Sequence, residues 1–113
     1  MAFQNIVGLQ LGQAAVTTGY ATIYTTPSNP ATRTYVKDLT ICNTTAGALS
    51  IYVSLVPSGG TAGAANALFY GNSIPANTTV QWTGSQIMES GGTIQVKASG
   101  SGCTITATGG EAT

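Results

Sequence analysis

The stretch Ala48-Leu49-Ser50-Ile51-Tyr52-Val53-Ser54-Leu55-Val56-Pro57 carries the cleanest periodicity in the chain. Leu49, Ile51, Val53 and Leu55 fall on one parity; Ser50, Tyr52 and Ser54 fall on the other. A period of two over this length describes a half-buried strand. Its apolar face belongs at the centre of a core, where a charge at Val53 would be strongly penalised because it would be buried without a partner.

The same grammar extends in both directions. Upstream, Thr34 to Asn43 reads as a strand in which Leu39 and Ile41 share a face while Val36 is out of phase. A β-bulge near Lys37-Asp38 repairs the phase, because one extra residue shifts the alternation by one. Thr44 to Gly47 is a turn, and Pro27-Ser28-Asn29-Pro30 is a loop with two fixed φ angles. Before it lie two runs rich in β-branched and aromatic residues, Gln13 to Thr18 and Tyr20 to Thr26, split by Gly19. In Met1 to Leu11, residues Phe3, Val7, Leu9 and Leu11 share a parity. That segment is a first strand or an arm laid across a neighbouring subunit, so the expected division is an N-terminal segment 1–11 and a domain 12–113.

Downstream, Ser58 to Ala67 is a small-residue, glycine-rich loop with one helical turn at Ala64 to Ala67. Leu68-Phe69-Tyr70 leads to the rigid pair Ile74-Pro75, then to an alternating run from Thr78 to Trp82. A loop ending in Gly91-Gly92 precedes a further alternation, Thr93 to Ala98. Ser99-Gly100-Ser101-Gly102 reads as a hairpin turn into Cys103 to Thr108. No segment shows helical periodicity over a useful length. Seven to nine short strands with Gly/Pro turns predict an all-β chain: a single antiparallel β-sandwich, jelly-roll or Ig-like, with little or no helix.

Composition narrows the function. The chain has 113 residues, enough for one domain with a single core. Only 5% of residues are charged, three basic and three acidic, for a formal net charge of zero; soluble domains average about 25%. A neutral, charge-poor surface self-associates, so much of it is expected to be covered by other subunits. Arg33, Lys37 and Lys97 are too few for a nucleic-acid footprint, and no apolar run reaches the ~18 residues of a membrane span. The N-terminus lacks the charged region of a secretory signal, which predicts synthesis and folding in a cytosol. Cys42 and Cys103 have no metal spacing and are expected as free thiols, with a disulfide between neighbouring strands as the alternative.

Catalytic vocabulary is missing. There is no histidine, the commonest general base and metal ligand. Asp38, Glu89 and Glu111 fall in a strand, a turn and a tail, not as the facing pair a glycosidase needs. No glycine motif joins a strand to a helix as a nucleotide cradle does. The expectation is no catalytic residue, no cofactor and no metal. The Asn-x-Thr sequons at Asn43 and Asn77 are chance products of a Thr-rich sequence.

The candidates left are contact residues. Tyr20, Tyr24 and Tyr52 fall opposite the predicted apolar face, which suits a subunit interface. Trp82 shares parity with Val80: it packs under a sheet, or stands exposed to grip a sugar or a subunit. Phe69 and Tyr70 pack internally or insert into a neighbour, and Phe3 is the aromatic of the N-terminal segment. Lys37 and Asp38 are expected as solvated charges, with salt bridges to Arg33 or Glu89 of a neighbour as the alternative.

The phrases Asn66–Gly84 (NALFYGNSIPANTTVQWTG), Ser90–Thr113 (SGGTIQVKASGSGCTITATGGEAT) and Thr34–Ala62 (TYVKDLTICNTTAGALSIYVSLVPSGGTA) together resemble small virion structural proteins of tailed bacteriophages. The resemblance covers roughly residues 12–113. It implies a β-sandwich built into a virion in many copies, as a head-decoration, fibre or neck-tail accessory subunit. The implied partners are further copies of the chain, a trimer being favoured, and other virion proteins, with no nucleic acid and no membrane. The implied location is the virion, after synthesis in the host bacterial cytoplasm. The competing expectation is a carbohydrate-binding or host-adhesion module, in which Trp82 and some tyrosines share a shallow groove for a host glycan.

Overall fold

The computed structural model describes residues 6–28 and 31–113. Eight strands follow in order: β1 Ile6–Val16, β2 Ala21–Thr25, β3 Arg33–Asn43, β4 Leu49–Val56, β5 Ala67–Ile74, β6 Thr78–Met88, β7 Thr93–Ala98 and β8 Cys103–Ala112. A single 3-10 turn, Ala64–Asn66, precedes β5 where the helical turn is expected. The strands form two four-stranded sheets: a front sheet in the order β1-β8-β3-β6 and a back sheet in the order β2-β7-β4-β5. All pairings are antiparallel.

The fold is the β-sandwich expected, and its connectivity selects between the two forms. The chain changes sheet at every connection except β4 to β5. Four strands a side with that connectivity is a jelly roll rather than an Ig-like arrangement. The expected hairpin at Ser99–Gly102 is therefore corrected: β7 lies in the back sheet and β8 in the front. The Ser99 N–H still donates to Ser50 O, across to β4, whereas Gly102 O already accepts from Thr44 N–H beyond β3. Those four residues carry the chain over the end of the sandwich. A strand's pattern reports which face is buried, not which sheet it joins.

One further expectation is revised. β6 continues through Thr83 to Met88, where a loop is expected; alternation is lost there because the side chains from Thr83 to Ile87 are all exposed. β1 runs from Ile6 to Val16 and pairs with β8 on both sides of its register shift.

The core lies between the sheets. Leu39, Ile41 and Ile105 from the front meet Ile51, Val53, Ile94 and Val96 from the back, all essentially inaccessible to solvent. Each such side chain stabilises the fold by about 1.5–3 kcal/mol relative to an exposed one. Strand β8, inside the front sheet, carries no extra residue in its pairings, and Cys103, Ile105 and Ala107 are buried in the core. Its neighbours each carry one. The β1 register shifts between Gln10 and Gly12, and the β3 register shifts between Val36 and Asp38. The bulge in β3 is where the sequence requires it. It turns Lys37 and Asp38 both outward while Val36 and Leu39 remain buried.

Gly109 lies beneath that bulge. A Cβ there would stand 1.8 Å from Tyr35 O and 2.9 Å from Tyr35 C, so no side chain fits without displacing the β3 backbone. At the other end of β3, Asn43 is fully buried and fully bonded. Its Nδ2 donates to Gly47 O (2.9 Å), Ile74 O (3.0 Å) and Pro75 O (3.2 Å). Its Oδ1 accepts from Thr45 N–H (2.9 Å) and Thr45 Oγ1 (2.6 Å). Ile74 ends β5 in the back sheet, so this one amide ties the two sheets together. The other sequon asparagine, Asn77, sits at φ +52° in the turn after Pro75. Its N–H donates to Thr45 O (3.0 Å).

Gly109→Ala is expected to destabilise the protein by roughly 1–3 kcal/mol or more, the usual cost of overpacking. Gly47→Ala, with nothing within 4 Å of the added carbon, is the matched control and should leave the urea midpoint nearly unchanged. Equal midpoints for the two variants would remove the bulge constraint.

Candidate interaction surfaces

Strand alternation sends every second side chain outward, so each sheet presents one outer face. On the back sheet, β4 and β7 pair with Tyr52 directly opposite Lys97. Tyr20 immediately precedes β2, which pairs with β7 from Ala21 opposite Val96. Tyr70 lies opposite Tyr52 on β5. The four residues form one row across the sheet. The Lys97 ammonium stands 4.8 Å from the Tyr20 ring centroid and 4.7 Å from that of Tyr52. Both distances are within cation–π range. The Tyr52 and Tyr70 rings meet edge to face at 5.2 Å, the favoured aromatic geometry. The row depends on Gly71, the extra residue of a β5 bulge at φ +73°; a Cβ there would meet the Tyr52 hydroxyl at 3.5 Å. Tyr70 is 58% exposed.

The outer face of the front sheet is different. Thr104 and Thr106 of β8 lie beside Gln13 of β1 and Thr40 of β3, and Gln13 Nε2 donates to Thr106 Oγ1 at 3.1 Å. Asp38 interrupts this hydroxyl and amide surface. Its Oδ1 accepts from Thr40 Oγ1 (3.0 Å) and its Oδ2 from Gln81 Nε2 (2.6 Å). Lys37, its neighbour, reaches toward the β6 edge, 3.4 Å from Ser85 Oγ. Arg33 pairs with Glu89 of the same chain at 3.1 Å. Both side chains are largely exposed, so the pair adds little stability.

Three of the aromatic candidates take other places. Tyr24 points inward, because an extra residue at Ile23 shifts the β2 register and puts Tyr24 opposite the buried Ile94; the outward expectation is corrected. Its hydroxyl donates to Glu111 and shares a 2.8 Å hydrogen bond with Thr34. Thr34 in turn shares one of 2.9 Å with Thr26. With Tyr24's proton directed to Glu111, the chain runs Thr26 to Thr34 to Tyr24 to the carboxylate. Burial, reinforced by Glu111, pushes the Tyr24 phenol up from 10.0 to about 12.

Phe69 is 8% exposed and belongs to the core. Trp82 lies opposite Leu39 on β6, on the inner side of the sheet, and packs half-buried against the core. Trp82 and the tyrosine row thus belong to different sheets and cannot line one groove. Phe3 lies outside the described residues.

Cys42 and Cys103 sit on adjacent strands, yet Cys103 shares Asn43's inner face while Cys42 lies opposite Thr104 on the outer one. Both are free thiols, and burial raises the Cys103 pKa, with Cys42 adding to it. Where β5 and β6 leave the sandwich edge open, Leu55, Val56, Leu68, Ile87 and Met88 line a groove of about 750 Å³.

Lys97 is the member of the tyrosine row that sequence reasoning did not pick out as a contact. Its outward parity was visible, since Ile94, Val96 and Ala98 take the inner face. That β7 lies between β2 and β4, bringing Tyr20 and Tyr52 to either side of it, was not.

No protein-family model matches the chain, and no curated protein matches it in sequence. Solved structures do share the fold. A chain in the structure of infectious bursal disease virus, Gx strain, superposes with a TM-score of 0.50 at 12% identity, over 96% of this chain and 32% of that one. A chain of the viral particle of the same virus gives 0.51 at 11% identity, over 96% and 30%. The protein thus spans about a third of the length of those viral chains. A chain from the disulfide-linked pili of Bacillus endospore appendages gives 0.49 at 16% identity, over 100% and 94%.

The Tyr24 phenol gives a signed pH dependence. Its folded pKa lies above its unfolded value, so the folded state holds the proton more tightly. The stabilisation is complete below about pH 10 and is lost as pH rises toward about 12. Urea unfolding followed across that window should show this decline in the wild type and a shallower one in Tyr24→Phe. Identical slopes would remove Tyr24 as its source.

Proposed function

We propose that this chain is a non-enzymatic structural subunit of a bacteriophage virion, a head-decoration or fibre, neck or tail accessory protein used in many copies. The observation that carries the reading is the pair of charge-poor outer faces. One is a field of Thr and Gln broken by Asp38, the other a tyrosine row around Lys97. Neither carries the dense mixed charge that keeps an ordinary soluble domain monomeric. Aromatic residues with few charges are the composition of interface centres. The jelly-roll fold shared with chains of a virus structure supports the same reading at the level of fold, and the phage resemblance of residues 12–113 supports the particle type.

On this reading the partners are further copies, with a trimer favoured, and other virion proteins. The protein is made in the host cytoplasm and resides in the particle. The open sheet edges β1, β2, β5 and β6 offer strand pairing to a neighbour as a second mode of contact. A second reading, attachment to a host glycan, rests on the tyrosine row alone, since Trp82 lies in the other sheet.

Sedimentation velocity over a range of concentrations should show reversible growth from monomer to multimers, and the tagged protein should be incorporated into phage particles assembled in the host. A chain that stays monomeric at every concentration and is absent from particles would overturn the proposal. Glycan-array binding abolished by Tyr52→Ala in such a monomer would establish the second reading instead.

A further inference from the structure

The six charges of this chain are distributed so that one cation and one anion stand apart on opposite faces. Arg33 and Glu89 pair with each other. Glu111 accepts from Tyr24 inside the sandwich, and Lys37 extends to Ser85 at the β6 edge. Lys97 is held between two tyrosine rings on the back face, with no carboxylate within salt-bridge distance among the described residues. Asp38 is held by Thr40 and Gln81 on the front face, with no cation at that distance among the described residues. Each charge is fixed in place by uncharged neighbours, so neither must be ordered on meeting a partner.

Resting on the assembly reading above, we propose that the tyrosine–lysine row of one copy docks on the Asp38 face of the next, with Lys97 meeting Asp38. The occupant of the back face is a second copy of this chain, argued from charge complementarity. Two back faces in register would set Lys97 against Lys97, and two front faces in register would set Asp38 against Asp38 and its outward neighbour Lys37 against Lys37. Both matched contacts are disfavoured by like charge, whereas back on front is favoured. The tyrosine hydroxyls then face threonine hydroxyls and glutamine amides, which both donate and accept. A contact between two different faces is heterologous: it propagates, or closes into a ring only if the successive rotations close.

The experiment uses the full chain with two charge reversals, Lys97→Glu and Asp38→Lys, and reads assembly by sedimentation velocity at low ionic strength. Each variant alone should associate at least about tenfold more weakly than wild type, with its thermal melting unchanged. An equimolar mixture of the two should recover association, because both contacts in an alternating stack, Lys97 on Asp38 and Glu on Lys, are attractive. If Asp38→Lys melts early, Asp38→Asn should still weaken association.

Single variants that assemble like wild type, or a mixture no better than its components, would overturn the head-to-tail contact while leaving self-assembly standing. A wild-type chain that never associates would overturn both. Glycan binding lost in Lys97→Glu and kept in Asp38→Lys, with assembly unaffected, would assign the tyrosine row to a sugar and overturn the proposal.

Discussion

The front sheet depends on a missing side chain. β8 runs between β1 and β3 without an extra residue, while both flanking strands carry one, at Leu11 and at Lys37. The bulge in β3 brings the Tyr35 carbonyl over position 109, into the space a Cβ would occupy. With glycine there, Val36 and Leu39 both reach the core although three positions separate them, and Lys37 and Asp38 both leave it. With any larger residue, the bulge and the central strand compete for the same volume. An interior packed to crystal-like density does not absorb such a conflict.

The second constraint closes the opposite end. A jelly roll exchanges the chain between sheets at almost every connection, so its ends hold many backbone groups with no ladder partner. Asn43 satisfies three carbonyls and an amide there from one buried side chain. Buried polar groups strengthen a fold only when every partner is present, and both ends of this amide are bonded. A position that reads as a sugar-acceptor sequon is therefore a structural tie.

Charge scarcity connects fold to surface. Few charges leave the two outer faces to hydroxyls, amides and phenols, which form hydrogen bonds with another protein as readily as with water. The charges present then act less through affinity than through register and polarity of contact. Lys97 between two rings and Asp38 between two donors are positioned in this way. Trp82 and Phe69, the largest apolar candidates, are instead turned toward the core.

Several features were determined by residues close together in the sequence. The alternation of Leu49 to Leu55 marked a core strand, the phase slip between Val36 and Leu39 located a bulge, and the run after Ser58 marked a loop with one helical turn. The outward parity of Tyr20 and Tyr52 was equally legible, because alternation is a local property of extended backbone. Tertiary structure alone decided which sheet each strand joined, so Ser99–Gly102 became a crossing rather than a hairpin. It also turned Tyr24 inward through a bulge whose cause lies in its pairing with β7. It separated Trp82 from the tyrosines and set Lys97 between Tyr20 and Tyr52. Each of these depends on partners distant in sequence, and a period of two carries no information about which strand lies alongside.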